Sequence, residues 1–167
     1  EDGLTGLANR RHFNDSFMIE WERARREQQS LALIFVDVDH FKAYNDNHGH
    51  LEGDRALVAV AAAIKPLARR AGDLAARYGG EEFVLLLPNT PIDGARDVAD
   101  ELLAAVDDRR IPHKASSVGA FVSVSIGVAS MVPDVHLAPS QLIDRADAAL
   151  YAAKEGGRHQ VVVNDLG

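Results

Sequence analysis

Leu31-Ala-Leu-Ile-Phe-Val36 runs through six apolar residues without a polar break and then stops at Asp37. A strand with one wet face alternates polar and apolar side chains, so a run with no alternation has to be covered on both faces. The chain is thereby committed to a layered arrangement, with this strand inside a sheet and other elements stacked above and below it. At 167 residues, 47% of them apolar, it has the material for one such core. The expectation is a single domain over residues 1–167.

The flanking sequence supplies the layers. Asn9 is placed to cap a helix whose apolar positions Phe13, Phe17 and Trp21 recur at fourfold spacing. After the apolar strand come a short helix over Phe41–Asn47 and an alanine- and valine-rich helix from Leu51 to about Ala68. Two short strands follow, Leu74–Tyr78 and Phe83–Leu87. They are joined across Gly79-Gly80, a glycine pair that marks a hairpin because both residues tolerate positive φ. A helix from about Ile92 to Val106, a strand from about Ala120 to Ala129, a helix from Ser140 to Glu155 ended by Gly156-Gly157, and a last strand over Gln160–Val163 complete the reading. Helices mixed with a hairpin-containing sheet predict an α+β fold, with a central, mainly antiparallel sheet flanked by helices, rather than a doubly wound one.

Composition removes several classes of function. The formal net charge of −7 leaves no broad basic surface for nucleic acid. The absence of cysteine removes disulfides, thiolate nucleophiles and Cys-ligated zinc, and it agrees with a reducing, cytoplasmic setting. No apolar run approaches the length of a membrane span, so no membrane contact is expected of this domain. The sequence opens at Glu1 without methionine, which suggests a segment of a longer, multidomain polypeptide.

Asp37 closes the buried strand where a polar side chain can project into a cleft. Asp39 shares its face if the extended backbone persists, although its simpler role is to cap the following helix, and that reading is preferred. Glu81 and Glu82 follow the hairpin glycines. If the hairpin neighbours the strand of Asp37, these carboxylates repel one another unless a cation joins them, and an all-oxygen set favours Mg²⁺ or Mn²⁺ over zinc. Taken alone, the three acids fit a metal site and solvated turn residues equally well.

Arg77-Tyr-Gly79-Gly80-Glu81-Glu82-Phe83 resembles the signature hairpin of the GGDEF family of diguanylate cyclases, in its Glu-Glu form. Three further blocks resemble that family in the same order: Asp2-Gly-Leu-Thr-Gly-Leu-Ala-Asn-Arg-Arg11, Asp37-Val-Asp-His-Phe41-Lys42-Ala-Tyr-Asn45-Asp46 through Gly49-His50 to Gly53-Asp54, and Tyr151-Ala-Ala-Lys154-Glu-Gly-Gly-Arg158. The resemblance spans essentially the whole chain. It implies a polymerase-palm, nucleotide-cyclase-like domain with an added hairpin that condenses two GTP into cyclic di-GMP. Two Mg²⁺ or Mn²⁺ ions per active site are implied, held by Asp37, the Val38 carbonyl, Glu81 and Glu82. Glu81 and Lys42 take catalytic roles, as base and as stabiliser of the leaving pyrophosphate. Phe41, Asn45, His50 and Asp54 form the nucleoside site, Gly79 and Gly80 approach the phosphates, and Lys154 and Arg158 neutralise them. Arg70 and Asp73 resemble the family's RxxD inhibitory site for cyclic di-GMP, to which the family often adds a second arginine; Arg96 is the only arginine of the following predicted helix. A homodimer is implied for catalysis, under control of an upstream sensory domain.

Bland alternatives stand beside these roles. Lys154 and Arg158 can serve the helix dipole, Asn45-Asp46-Asn47 can be turn chemistry, and Arg70/Asp73 can be a surface ion pair. His12, His113, His136 and His159 have no evident partner, and Trp21 reads as core or dimer packing. Three rival functions are a silent GTP- or cyclic di-GMP-binding regulator, a cyclase of different base selectivity, and a structural dimerisation module. The first would favour loss of the acids, all of which are present; Asn45 and Asp54 speak against the second; the third needs no acids at either place.

Overall fold

The structure, a computed structural model, describes residues 1–164. The elements, in order, are α1 (Arg10–Glu27), β1 (Leu31–Val38), α2 (Phe41–His48), α3 (His50–Ile64), β2 (Leu74–Arg77), β3 (Glu82–Pro88), α4 (Ile92–Asp108), β4 (Val124–Met131), α5 (Pro139–Glu155) and β5 (Val161–Asn164). Of the 1–167 span expected to be one domain, residues 165–167 lie outside the described part.

β1 is buried at every position, as its unbroken apolar run requires. It sits at the centre of a five-stranded sheet ordered β2-β3-β1-β4-β5. β1 pairs antiparallel with β3 and β4, β2 pairs antiparallel with β3, and only β4 and β5 run parallel. Alternate β1 residues feed two cores. Ala32, Ile34, Val36 and Val38 pack with α3 and α4, whereas Leu31, Leu33 and Phe35 pack with α1 and α5. On the second face Phe13, Phe17 and Trp21 are all buried, so the α1 stripe is core. α5 lies on β4 closely enough that a Cβ added to Gly127 would meet its backbone, 2.7 Å from the Leu150 Cα.

The α-helical geometry of α3 ends at Ile64 and a 3-10 turn over Lys65–Leu67 replaces the expected extension to Ala68. Pro66 explains this: it has no N–H to continue the ladder and its ring crowds the preceding turn. The strand expected from Ala120 begins at Val124, opposite Val38. Phe121 instead makes an isolated bridge to Pro112, so the approach to β4 is a loop folded on itself. Among the described residues no helix is long and apolar enough to cross a membrane.

Candidate active site

The register of the central strands decides where the acids meet. Asp37 stands directly opposite Glu82 of β3 on one side and Ser125 of β4 on the other, and directly opposed residues share a face. One residue on, the Val38 N–H donates to the Glu81 carbonyl at 3.1 Å. The strand end and the hairpin acids, 44 positions apart for residues 37 and 81, are thus neighbours.

The turn is braced from within. Tyr78 and Gly79 both donate their N–H groups to the Glu82 carbonyl, at 2.8 and 3.2 Å. The Arg77 guanidinium donates to the Gly79 and Gly80 carbonyls, the shortest contact being 2.8 Å to Gly80. Neither glycine takes the positive φ expected of a hairpin pair; the left-handed glycines are elsewhere, at 6, 49, 72 and 157. A Cβ on Gly79 would stand 2.7 Å from Glu82 Oε1, the end of a flexible side chain that would have to swing aside, whereas among the described residues nothing lies within 4 Å of the equivalent point on Gly80.

Asp37 is 7% exposed. Burial pushes its carboxyl up to about 6, the Lys154 ammonium opposes that rise, and the charges of Glu81 and Glu82 add to it. Lys154, in the last turn of α5, reaches Asp37 Oδ2 with its Nζ at 2.7 Å. It serves more than the helix dipole, because it is the cation that offsets the acid cluster. Among the described residues no three acid or imidazole side chains are gathered into a ready metal cage. The donors still suit a hard cation: all are oxygens, and the mutual repulsion recorded at Asp37 is what such an ion would relieve.

Asp39 is not a helix cap. α2 starts from His40, at φ 51 and without a side-chain cap, and Asp39 instead turns inward at 3% exposure. Its carboxylate accepts from Ser123 Oγ at 2.7 Å, Ser125 Oγ at 2.5 Å and the His159 N–H at 3.1 Å. Asp39 lies two residues beyond Asp37, but its buried role is set by Ser123 and Ser125, partners more than eighty positions away. His159 also has a partner, its Nε2 standing 2.9 and 2.8 Å from the two Asp107 carboxylate oxygens. His113 is a core residue, 2% exposed, with its ring edge-on to Tyr44 at 5.1 Å and its Nε2 3.1 Å from the His40 carbonyl.

The remaining expected residues fall in three places. Asn45, on α2, lies over the α3 backbone, with its Cγ 2.9 Å from where a Cβ on Gly53 would stand and Phe41 alongside. Its Oδ1 is buried without a hydrogen-bond partner, an acceptor that a ligand N–H can satisfy. His50 and Asp54 are exposed on α3. Lys42 extends into solvent, 93% exposed, 3.7 Å from Asp46, and is not drawn to the acids. Arg70 and Asp73 pair, with the Asp73 carboxylate accepting the Arg70 N–H at 3.0 Å. The Arg70 guanidinium turns to the end of β3, donating to the carbonyls of Pro88 at 2.8 Å and Asn89 at 3.3 Å and to the Thr90 hydroxyl. Arg96 lines a different groove, with Val161–Val163, while the cleft beside Arg70 and Asp73 meets α4 through Gly94 and Val98.

Comparison with known proteins accounts for this arrangement. The family model described as "Diguanylate cyclase, GGDEF domain" matches residues 1–160. The chain belongs to the GGDEF family. Curated relatives include diguanylate cyclase A of Treponema denticola, 40% identical over 138 residues, which are 83% of this chain and 36% of that protein. Diguanylate cyclase VdcA of Vibrio cholerae is 40% identical over 164 residues, 96% of this chain and 46% of the relative. The chain therefore spans less than half the length of these two proteins. Among solved structures, the GGDEF domain of DgcB from Caulobacter crescentus in complex with c-di-GMP superposes with a TM-score of 0.88 at 36% identity, covering 98% of this chain and 92% of that one. Diguanylate cyclase SiaD of Pseudomonas aeruginosa, in complex with its activator SiaC, gives 0.85 at 41% identity, covering 98% and 61%. The mixed five-stranded sheet flanked by helices is the GGDEF fold, and the palm-like α+β expectation holds.

Proposed function

We propose that this GGDEF domain is the catalytic part of a diguanylate cyclase, condensing two GTP into cyclic di-GMP and two pyrophosphates. The observation that carries the reading is the meeting of Asp37 with Glu81 and Glu82 at the open end of β1. Acids are concentrated there beneath a glycine turn, at the cost of a carboxyl pushed up to about 6.

Asp37, the Val38 carbonyl, Glu81 and Glu82 would hold two Mg²⁺ or Mn²⁺ ions, which would supply charge neutralisation at the triphosphate and acidify the attacking hydroxyl. Asn45 and Asp54 read the guanine edge, an amide and a carboxylate answering the O6 acceptor and the N1 and N2 donors. Phe41 and His50 complete the nucleoside site. Lys154 and Arg158 hold the phosphates, so Lys154 exchanges Asp37 for a phosphate oxygen when nucleotide binds. The 3′-hydroxyl oxygen of one GTP attacks the α-phosphorus of the other, its proton passes to Glu81, and the bond to the β-phosphate breaks with the electron pair leaving on pyrophosphate. Lys42, solvent-exposed in the unliganded chain, stabilises that departing charge. Repetition with the roles exchanged closes the ring, so two domains must face each other and an upstream sensory domain can control their meeting.

Arg70 and Asp73 form the inhibitory product site in this reading. The guanidinium must release Pro88 and Asn89 to engage a guanine or phosphate. The test of the whole reading is incubation of the concentrated domain, or a fusion to a dimeriser, with GTP and Mg²⁺, followed by mass detection of cyclic di-GMP. Absence of product from the dimerised fusion overturns it.

A further inference from the structure

The turn between α5 and β5 is built against its own backbone preferences. Gly157, Arg158 and His159 follow one another at φ 113, 65 and 48. Glycine takes the left-handed region freely, but a Cβ there crowds the following carbonyl, so two successive residues with side chains persist only when their surroundings over-determine them. Three contacts do so. The Arg158 N–H donates to the Ala153 carbonyl at 2.9 Å, the His159 N–H donates to Asp39 Oδ2 at 3.1 Å, and the His159 ring meets Asp107.

The two acids are not equivalent. Asp107 and His159 have side chains 40% and 41% exposed, where water and salt screen the pair. Asp39 is 3% exposed, and its bonds tie β1 to β4 through Ser123 and Ser125 and to the turn through His159. Hydrogen bonds to a carboxylate removed from water are the stronger kind. The turn in turn displays Arg158, whose guanidinium makes no hydrogen bond or ion pair among the described residues, four positions after the Lys154 that sits on Asp37.

We propose that Asp39 is a positioning residue for nucleotide binding: its buried carboxylate clamps the left-handed Arg158–His159 turn and so aims Arg158 at the triphosphate. This rests on the phosphate-binding role given to Arg158 above. A guanidinium fixed before the ligand arrives spends little ordering free energy on capture. Without the clamp the turn relaxes toward ordinary φ, and Arg158 moves with it.

A double-mutant cycle on the full chain tests the clamp. The probe is a GTP analogue with a methylene bridge between its α- and β-phosphates, titrated calorimetrically with Mg²⁺, and guanosine serves as the phosphate-free comparison. Arg158→Ala is expected to weaken the analogue about tenfold. Asp39→Ala should do nearly the same, and the double variant no worse than either single one, because the second change removes what the first has already disabled. Asp39→Asn retains an acceptor for the His159 N–H, and either serine can turn to accept from the amide. It should lose about threefold, again only while Arg158 is present, and it decides the matter if Asp39→Ala does not fold. Guanosine affinity should be unmoved throughout. Additive losses, or equal weakening toward guanosine, overturn the clamp and leave Asp39 a general structural residue. Failure of the unsubstituted chain to bind the analogue overturns the proposed function itself.

Discussion

Asp37 carries opposing demands, because burial favours its neutral form while the proposed metal binding needs the charged one. Its folded carboxyl, raised from 3.8 to about 6, corresponds to about 3 kcal/mol between protonation states. Between pH 4 and 6 the folded chain binds more protons there than the unfolded chain, so this group's contribution to stability falls as pH rises through that window. Asp37→Asn should therefore unfold at higher denaturant than the parent at pH 7, by up to about 3 kcal/mol, with the gain gone near pH 4, while cyclase activity is lost at both. Equal midpoints at pH 7 would contradict the burial argument. Glu81→Gln should abolish product while leaving the melting curve intact, and retained turnover would refute its role as base. Arg70→Ala should weaken cyclic di-GMP binding without lowering initial velocity. Because the guanidinium also ties down the end of β3, it should cost about 1 kcal/mol of stability as well. Of these residues, the sequence pattern announced Asp37 and the glutamates through a strand end and a glycine turn. It misassigned Asp39, because a helix cap and a buried acceptor are written with the same letter, and only the cross-strand neighbours Ser123 and Ser125 tell them apart. Arg77 is legible as part of the hairpin motif but without a role, because its bonds to the Gly79 and Gly80 carbonyls leave no spacing signal.

At the scale of elements, α5 matters most, because it delivers Lys154 to the acids. Its close approach to β4 depends on Gly127, where a Cβ would meet the helix backbone rather than a side chain that can yield. Gly127→Ala should destabilise the domain by about 3 kcal/mol and lower nucleotide affinity by displacing Lys154. Chemical denaturation and the same calorimetric titration check both effects, and an unchanged midpoint would show that α5 shifts freely. The long elements were legible because periodicity reports one buried face for α1 and two for β1. Boundaries were legible only where a breaker stood. Pro66 shortens α3, while the start of β4 is set by pairing with Val38, a long-range choice that residues 120–123 do not encode locally. The parallel β4/β5 pair was likewise invisible, since strand direction is decided by the path of α5 rather than by the composition of Val161–Asn164.

Over the whole molecule, the open flank at the hairpin governs how the domain can be controlled. Among the described residues nothing stands within 4 Å of where a Cβ on Gly80 would be, so the turn leaves room on that side for the second copy that the proposed mechanism requires. At concentrations where most copies are single, specific activity should rise linearly with protein concentration, and it should level off once pairing saturates. A flat dependence down to nanomolar dilution would remove the need for a pair. If two copies are needed as proposed, the yield of cyclic di-GMP should rise as the square of copy number in the dilute regime. A twofold burst in expression would then be read out as a fourfold signal, an amplification that follows from pairing alone.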